Sequence, residues 1–173
     1  QSRDGGYLLG GTTLSFSNDT DMAYLVKTDP IGNEQWYKTF GNNTNDAIYA
    51  IEQAADGYVL AGTIYPQTGN MKAFLIKIDD GGNRIWGYSY GENDYYYGYS
   101  LCNANDGGYM IAGTSLSTTN KDGFILKTYS NGTAVMVDDN TANGNTTDSS
   151  ISPTTIFLVL VIVACISAAA AIT

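Results

Sequence analysis

Asp4-Gly5-Gly6-Tyr7-Leu8-Leu9-Gly10-Gly11-Thr12-Thr13 decides the reading, because the chain repeats it. The stretch returns as Asp56-Gly57-Tyr58-Val59-Leu60-Ala61-Gly62-Thr63, and again as Asp106-Gly107-Gly108-Tyr109-Met110-Ile111-Ala112-Gly113-Thr114. Gly11, Gly62 and Gly113 are evenly spaced. Lys27, Lys77 and Lys127 keep step with them, as do Gly32, Gly82 and Gly132, Trp36 and Trp86, and Gly41 and Gly91. A fixed period near fifty residues marks a propeller or an array of supersecondary units.

Turn signals cut each repeat into four short strands. In the first they are Tyr7–Thr13, Met22–Thr28, Glu34–Phe40 and Ala47–Gln53. In the second they are Tyr58–Ile64, Ala73–Ile78, Arg84–Tyr90 and Tyr97–Asn103. The third has Tyr109–Ser115, Gly123–Thr128 and Thr133–Val137, and then its pattern stops. Short loops make consecutive strands antiparallel neighbours, and four strands per unit is the make-up of a propeller blade. The expectation is an all-β chain. Residues 1–137 would form about three four-stranded antiparallel blades of an incomplete ring, the last blade unfinished. The chain reads as a fragment or processed piece, and a strand upstream of Gln1 would pair with Thr133–Val137 to close the ring.

The repeated residues have plain physical work in such a unit. Gly11, Gly62 and Gly113 allow close backbone approach where blades converge. Gly32, Gly82 and Gly132 supply positive φ in the second turn. Trp36 and Trp86 are apolar plates between blades. The spacing sets Lys27 opposite Trp36 and Lys77 opposite Trp86, which would lay a lysine stem across each indole and a cation on its face.

After Val137 the periodicity ends. Residues 138–155 are polar and read as a flexible stalk. Residues 156–172 run without a charge and read as an apolar helix of roughly 25 Å, short for a bilayer. Two readings of Ile156–Ile172 stay open. It is a transmembrane helix, or it is a lipid-anchor signal with Asn143-Gly144-Asn145 as the small-residue attachment site. Either way the partner is a membrane and the address is extracellular or the cell surface.

The pattern D-G-G-Y-x-x-x-G-T, then D-x-x-G-N-x-x-W, then F-G and a strand, resembles a family of secreted β-propeller repeats of about fifty residues. These are related to the delta-60 and quinoprotein-type blades of bacterial, archaeal and protist surface proteins. The resemblance runs from Asp4 to about Val137. It implies a propeller fold, completed by remaining blades of the same ring, and brings no catalytic residues with it.

Composition narrows the function. A net charge of −9 argues against nucleic acid as a partner, and the chain has no histidine, so no Ser-His-Asp triad is available. The two cysteines, Cys102 and Cys165, set no disulfide framework. Asp29-Pro30-Ile31-Gly32-Asn33 and Asp79-Asp80-Gly81-Gly82-Asn83 are too short for calcium loops and match turn chemistry. No metal or cofactor is implied. Tyr88, Tyr90, Tyr95, Tyr96, Tyr97 and Tyr99 crowd one blade, where strand alternation assigns about half to packing and leaves the others as a glycan or protein contact surface. Sequons at Asn18, Asn42, Asn131 and Asn145 fit glycosylation outside the cell. The reading is a non-enzymatic, membrane-anchored display or binding propeller. The alternative is a piece of a secreted quinoprotein-like or hydrolytic propeller enzyme whose catalytic site lies in other blades.

Overall fold

The computed structural model describes residues 1–16, 21–41, 45–91 and 94–134. The stalk at 138–155, Ile156–Ile172, Cys165, and the sequons at Asn18, Asn42 and Asn145 lie outside the described residues. Ten strands are described: β1 (Tyr7–Thr13), β2 (Met22–Thr28), β3 (Glu34–Phe40), β4 (Ala47–Ala54), β5 (Gly57–Ile64), β6 (Lys72–Ile78), β7 (Arg84–Tyr90), β8 (Tyr95–Asn103), β9 (Tyr109–Leu116) and β10 (Lys121–Thr128). No helix occurs among the described residues, so the all-β expectation stands. The strands form three antiparallel sheets, β1-β2-β3, β4-β5-β6-β7 and β8-β9-β10. A single bridge between Thr128 and Ala134 extends the third.

One expectation needs correcting. The fourth strand of each sequence repeat does not pair with the third. β4 pairs with β5, and β8 with β9. The four-stranded unit therefore starts one strand earlier than the sequence repeat. Gly41 (φ +107°) and Gly91 (φ +119°) explain the turn away from β3 and β7. A Cβ at Gly41 would collide with the Asp46 carboxylate, and one at Gly91 with the Tyr96 ring. Only glycine lets the chain reverse in the left-handed region while the next strand's first residues close over it. The sheet with an unpaired inner edge among the described residues is consequently the first, alongside β1. The expected pairing of Thr133–Val137 with an upstream strand falls on residues 135–137, which lie outside the described residues.

The sheets stack face to face. The first and second enclose Leu25, Ile48, Tyr58, Leu60, Phe74 and Ile78, with Trp36 and Phe40 packed against them. The second and third enclose Val59, Ala61, Leu75, Leu101, Tyr109 and Ile111, with Trp86 and Phe124 at the margin. The second sheet is thus covered on both faces. This is why Gly57–Thr63 is buried at every position and reads as a nearly continuous apolar run. β1 carries the same motif with only one face covered, and its burial is patchy.

Registers place Lys27 opposite Trp36 and Lys77 opposite Trp86, the pairing that the spacing implies. Bulges interrupt the ladders between Ile48 and Ala50 and between Gly98 and Ser100, at the same point of the two inner strands. Gly62 and Gly113 face these bulges. A Cβ at Gly62 would strike the Ala47 carbonyl, and one at Gly113 the Tyr97 carbonyl, while one at Gly11 meets no described atom within 4 Å.

Candidate binding surface

The two bulges bring one group of exposed aromatics together. A bulge leaves one residue unpaired and re-aims its side chain. In β4 that residue is Tyr49 and in β8 it is Tyr99, 51% and 47% exposed. Their rings meet edge to face with centroids 5.3 Å apart, and Tyr97 stacks on Tyr99 at 6.0 Å with 13° between planes. The result is a three-ring platform made by neighbouring inner strands. Burial, first, and then the neighbouring Tyr99, Tyr97 and Asp21 raise the Tyr49 phenol above its ordinary value. The Tyr49 hydroxyl is therefore a neutral donor and acceptor at physiological pH.

The six tyrosines singled out in the sequence do not form one surface. Tyr90 is half-buried and donates its hydroxyl to the Gly132 carbonyl, and burial pushes its phenol up strongly. Tyr96 packs edge-on against Phe124 at 5.4 Å. Tyr88 is exposed and leans on Trp86 at 6.0 Å. Tyr95 is exposed at the start of β8. Only Tyr97 and Tyr99 join the platform. Sequence reasoning missed its third member, Tyr49, although the repeat holds the signal: Tyr49 and Tyr99 occupy the same place in successive units.

The repeated spacing of lysines and aspartates proves to be a staple. Lys27 Nζ lies 2.7 Å from Asp4, Lys77 Nζ 2.6 Å from Asp56, and Lys127 Nζ 2.8 Å from Asp106. The expected placement of the ammonium on the indole is thus replaced by a carboxylate partner. Each ammonium closes the open end of its own hairpin, and Lys27 also donates to the Thr28 carbonyl and to Gln35. Gly6 and Gly108 make room, since a Cβ at either would meet the lysine Nζ and a backbone carbonyl. The lysine hydrogen bond, foremost, holds the Asp4, Asp56 and Asp106 carboxyls below the usual carboxylate range. Carboxylates held ionised at neutral pH make poor proton donors.

The Asp-rich turns are equally occupied. Asp29 accepts from the backbone N–H of Ile31 and Asn33 and from the Asn33 amide. Asp79 accepts from the backbone and side chain of Asn83. No cluster of His, Cys, Asp or Glu among the described residues could hold a metal ion. Asn131 lies exposed in the last described turn, where its carbonyl oxygen accepts from the Thr133 N–H and hydroxyl.

One cleft of 390 Å³ opens between the second and third sheets, lined by Gln53, Asp56, Lys77, Asn103, Tyr109 and Ser130. The Asp56 and Lys77 charges neutralise each other, leaving amide and hydroxyl contacts. Asn103 donates to the Gln53 carbonyl and to Glu52, whose carboxyl burial pushes up. Such a cleft can hold a neutral polar group.

A scan against protein-family models finds no match, and a search of curated proteins finds none.

Proposed function

We propose that the chain is part of a β-propeller that binds a carbohydrate through Tyr49, Tyr97 and Tyr99 and performs no catalysis. The supporting observation is the pair of equivalent bulges that push Tyr49 and Tyr99 out together. Exposed flat rings with hydroxyls at their rims suit a sugar, whose C–H face stacks on the ring while its hydroxyls exchange hydrogen bonds. The propeller reading draws on the fifty-residue period, the stacked four-stranded unit and the neighbouring inner strands β4 and β8. Among the described residues no helix is long and apolar enough to cross a membrane. The surface address and the membrane partner are proposed from the sequence of residues 138–172, and glycosylation from the sequons at Asn18, Asn42, Asn131 and Asn145.

The test is a titration of the chain with a panel of neutral oligosaccharides, read by tyrosine fluorescence and by saturation-transfer NMR. Saturation should enter the sugar from Tyr49, Tyr97 and Tyr99. Tyr99→Ala should weaken binding about tenfold or more, in line with the loss of one stacked ring, while Tyr95→Ala leaves it unchanged. Binding that survives Tyr49→Ala and Tyr99→Ala together, or a ligand that reports contact only with the 390 Å³ cleft, would overturn the assignment.

A further inference from the structure

The turns that carry the motif aspartates meet their neighbours differently at the two junctions between sheets. At the first, Arg3 crosses from the first sheet to the β4–β5 turn of the second. Its guanidinium donates to the Ala54 carbonyl and, at 2.7 Å, to the Ala55 carbonyl. Arg3 stands directly before Asp4, and Ala55 directly before Asp56. The second sheet therefore offers a methyl group to the third where the first offers a guanidinium to the second.

The 390 Å³ cleft opens at this place, lined by Ala54 and Ala55 from the second sheet's turn and by Asn103, Ala104 and Gly107 from the third's. The acceptor that Arg3 finds at the first junction has its counterpart here. Ala104 stands two places before Asp106, as Ala54 does before Asp56. Its carbonyl accepts from the Gly107 N–H at 3.0 Å and keeps a second lone pair. The staple lysines report the same difference: the Lys27 side chain is 4% exposed, whereas that of Lys77, which lines the cleft, is 13% exposed. Charge adds to the match. The Asp56 carboxyl is held low first by the Lys77 hydrogen bond and also by the Arg3 charge. At the second junction Asp106, paired with Lys127, takes the place of Asp56.

We propose that the cleft between the second and third sheets binds an arginine side chain of a partner polypeptide, whose guanidinium donates to the Ala104 and Asn105 carbonyls as Arg3 donates to those of Ala54 and Ala55. Two consecutive carbonyls suit the planar fork of a guanidinium, which delivers two N–H groups at once, better than the point charge of an ammonium. Ala55, Ala104 and Tyr109 give the methylene stem an apolar wall. The neutral amide and hydroxyl groups of Asn103 and Ser130 are left for the peptide groups of the guest. The proposal does not rest on the tyrosine platform.

The experiment titrates the isotope-labelled full chain, in mild detergent, with N-acetylarginine amide and with its neutral isostere N-acetylcitrulline amide, read by amide chemical shifts. The arginine compound should shift residues 103–108 and bind about tenfold or more tighter than the citrulline compound, because its hydrogen bonds are charge-assisted. Ala55→Arg supplies the guanidinium from within the chain and should abolish these shifts, while Ala55→Ser keeps them. Arg3→Ala should act in reverse, freeing the Ala54 and Ala55 carbonyls and adding shifts at residues 54–57. Arg3 and Ala55 are both exposed, so these variants should fold as the parent does. Equal binding of the two compounds, shifts that survive Ala55→Arg, or shifts confined to the tyrosine platform would each overturn the proposal. Methylguanidinium binding as tightly as N-acetylarginine amide would overturn the polypeptide partner in favour of a small guanidinium compound. Tyr49→Ala and Tyr99→Ala should leave the arginine shifts unmoved, so this proposal and the sugar-binding one fail separately.

Discussion

Leu9 and Leu60 are the same residue at the same place of two repeats, and the stacking of sheets predicts that they behave differently. Leu60 is 0% exposed between the first and second sheets, whereas Leu9 is 55% exposed. Truncation to alanine removes three carbons. At about 0.8 kcal/mol per buried carbon the transfer loss at Leu60 is about 2.4 kcal/mol. The cavity left between two packed sheets raises that to roughly 3–5 kcal/mol. At Leu9 more than half the side chain is already in water and no closed cavity forms, so Leu9→Ala should cost about 1 kcal/mol or less. Urea unfolding of the full chain in mild detergent, followed by tryptophan emission, reads the difference. With a slope of about 1.5 kcal/mol per molar, the midpoint for Leu60→Ala should fall by roughly 2–3 M and that for Leu9→Ala by less than about 0.7 M. Equal shifts would show that the first sheet's outer face is as buried as the second's, and the stacking argument would fail.

The turn glycines give a parallel contrast. Gly32→Ala should cost about 1–2 kcal/mol in left-handed strain, and Gly82→Ala at least 1 kcal/mol more, because its methyl meets Trp36; equal melting shifts would refute it. The Asp4, Asp56 and Asp106 carboxyls lie lower in the folded chain than in the unfolded one. Their contribution is therefore present above the ordinary carboxylate range, near 4, and is lost as pH falls through the folded values. Urea midpoints should drop between pH 5 and pH 2, and Lys77→Met should reduce the drop; a flat profile would count against the staples. Finally, the protein should require detergent for extraction from membranes, with a mass that either retains Ile172 or ends near Asn143–Asn145 with a glycolipid. Detergent-free soluble protein still carrying Ile172 would exclude membrane attachment.

The period, the strand positions and the β2–β3 and β6–β7 registers were legible in the sequence, since each depends on residues a few places apart. A five-residue Asp-Pro/Asp-X-Gly-Asn turn fixes which residues face each other across it, so Lys27 and Trp36 could be paired on spacing alone. Sheet membership could not be read in this way. The loop after Phe40 is as short and polar as a hairpin, yet it leads to a different sheet, and the close packing of Gly41 against Asp46 that this path requires exists only once the next strand has docked. The lysines' partners were hidden for the same reason, because Asp4 reaches Lys27 only once β1 has paired with β2. The platform of Tyr49, Tyr97 and Tyr99 needs two bulges and two adjacent inner strands before the rings can touch. Local turn chemistry is written in consecutive residues, whereas burial is decided by which faces meet. That is why one motif is covered at Tyr58 and Tyr109 and open to solvent at Tyr7.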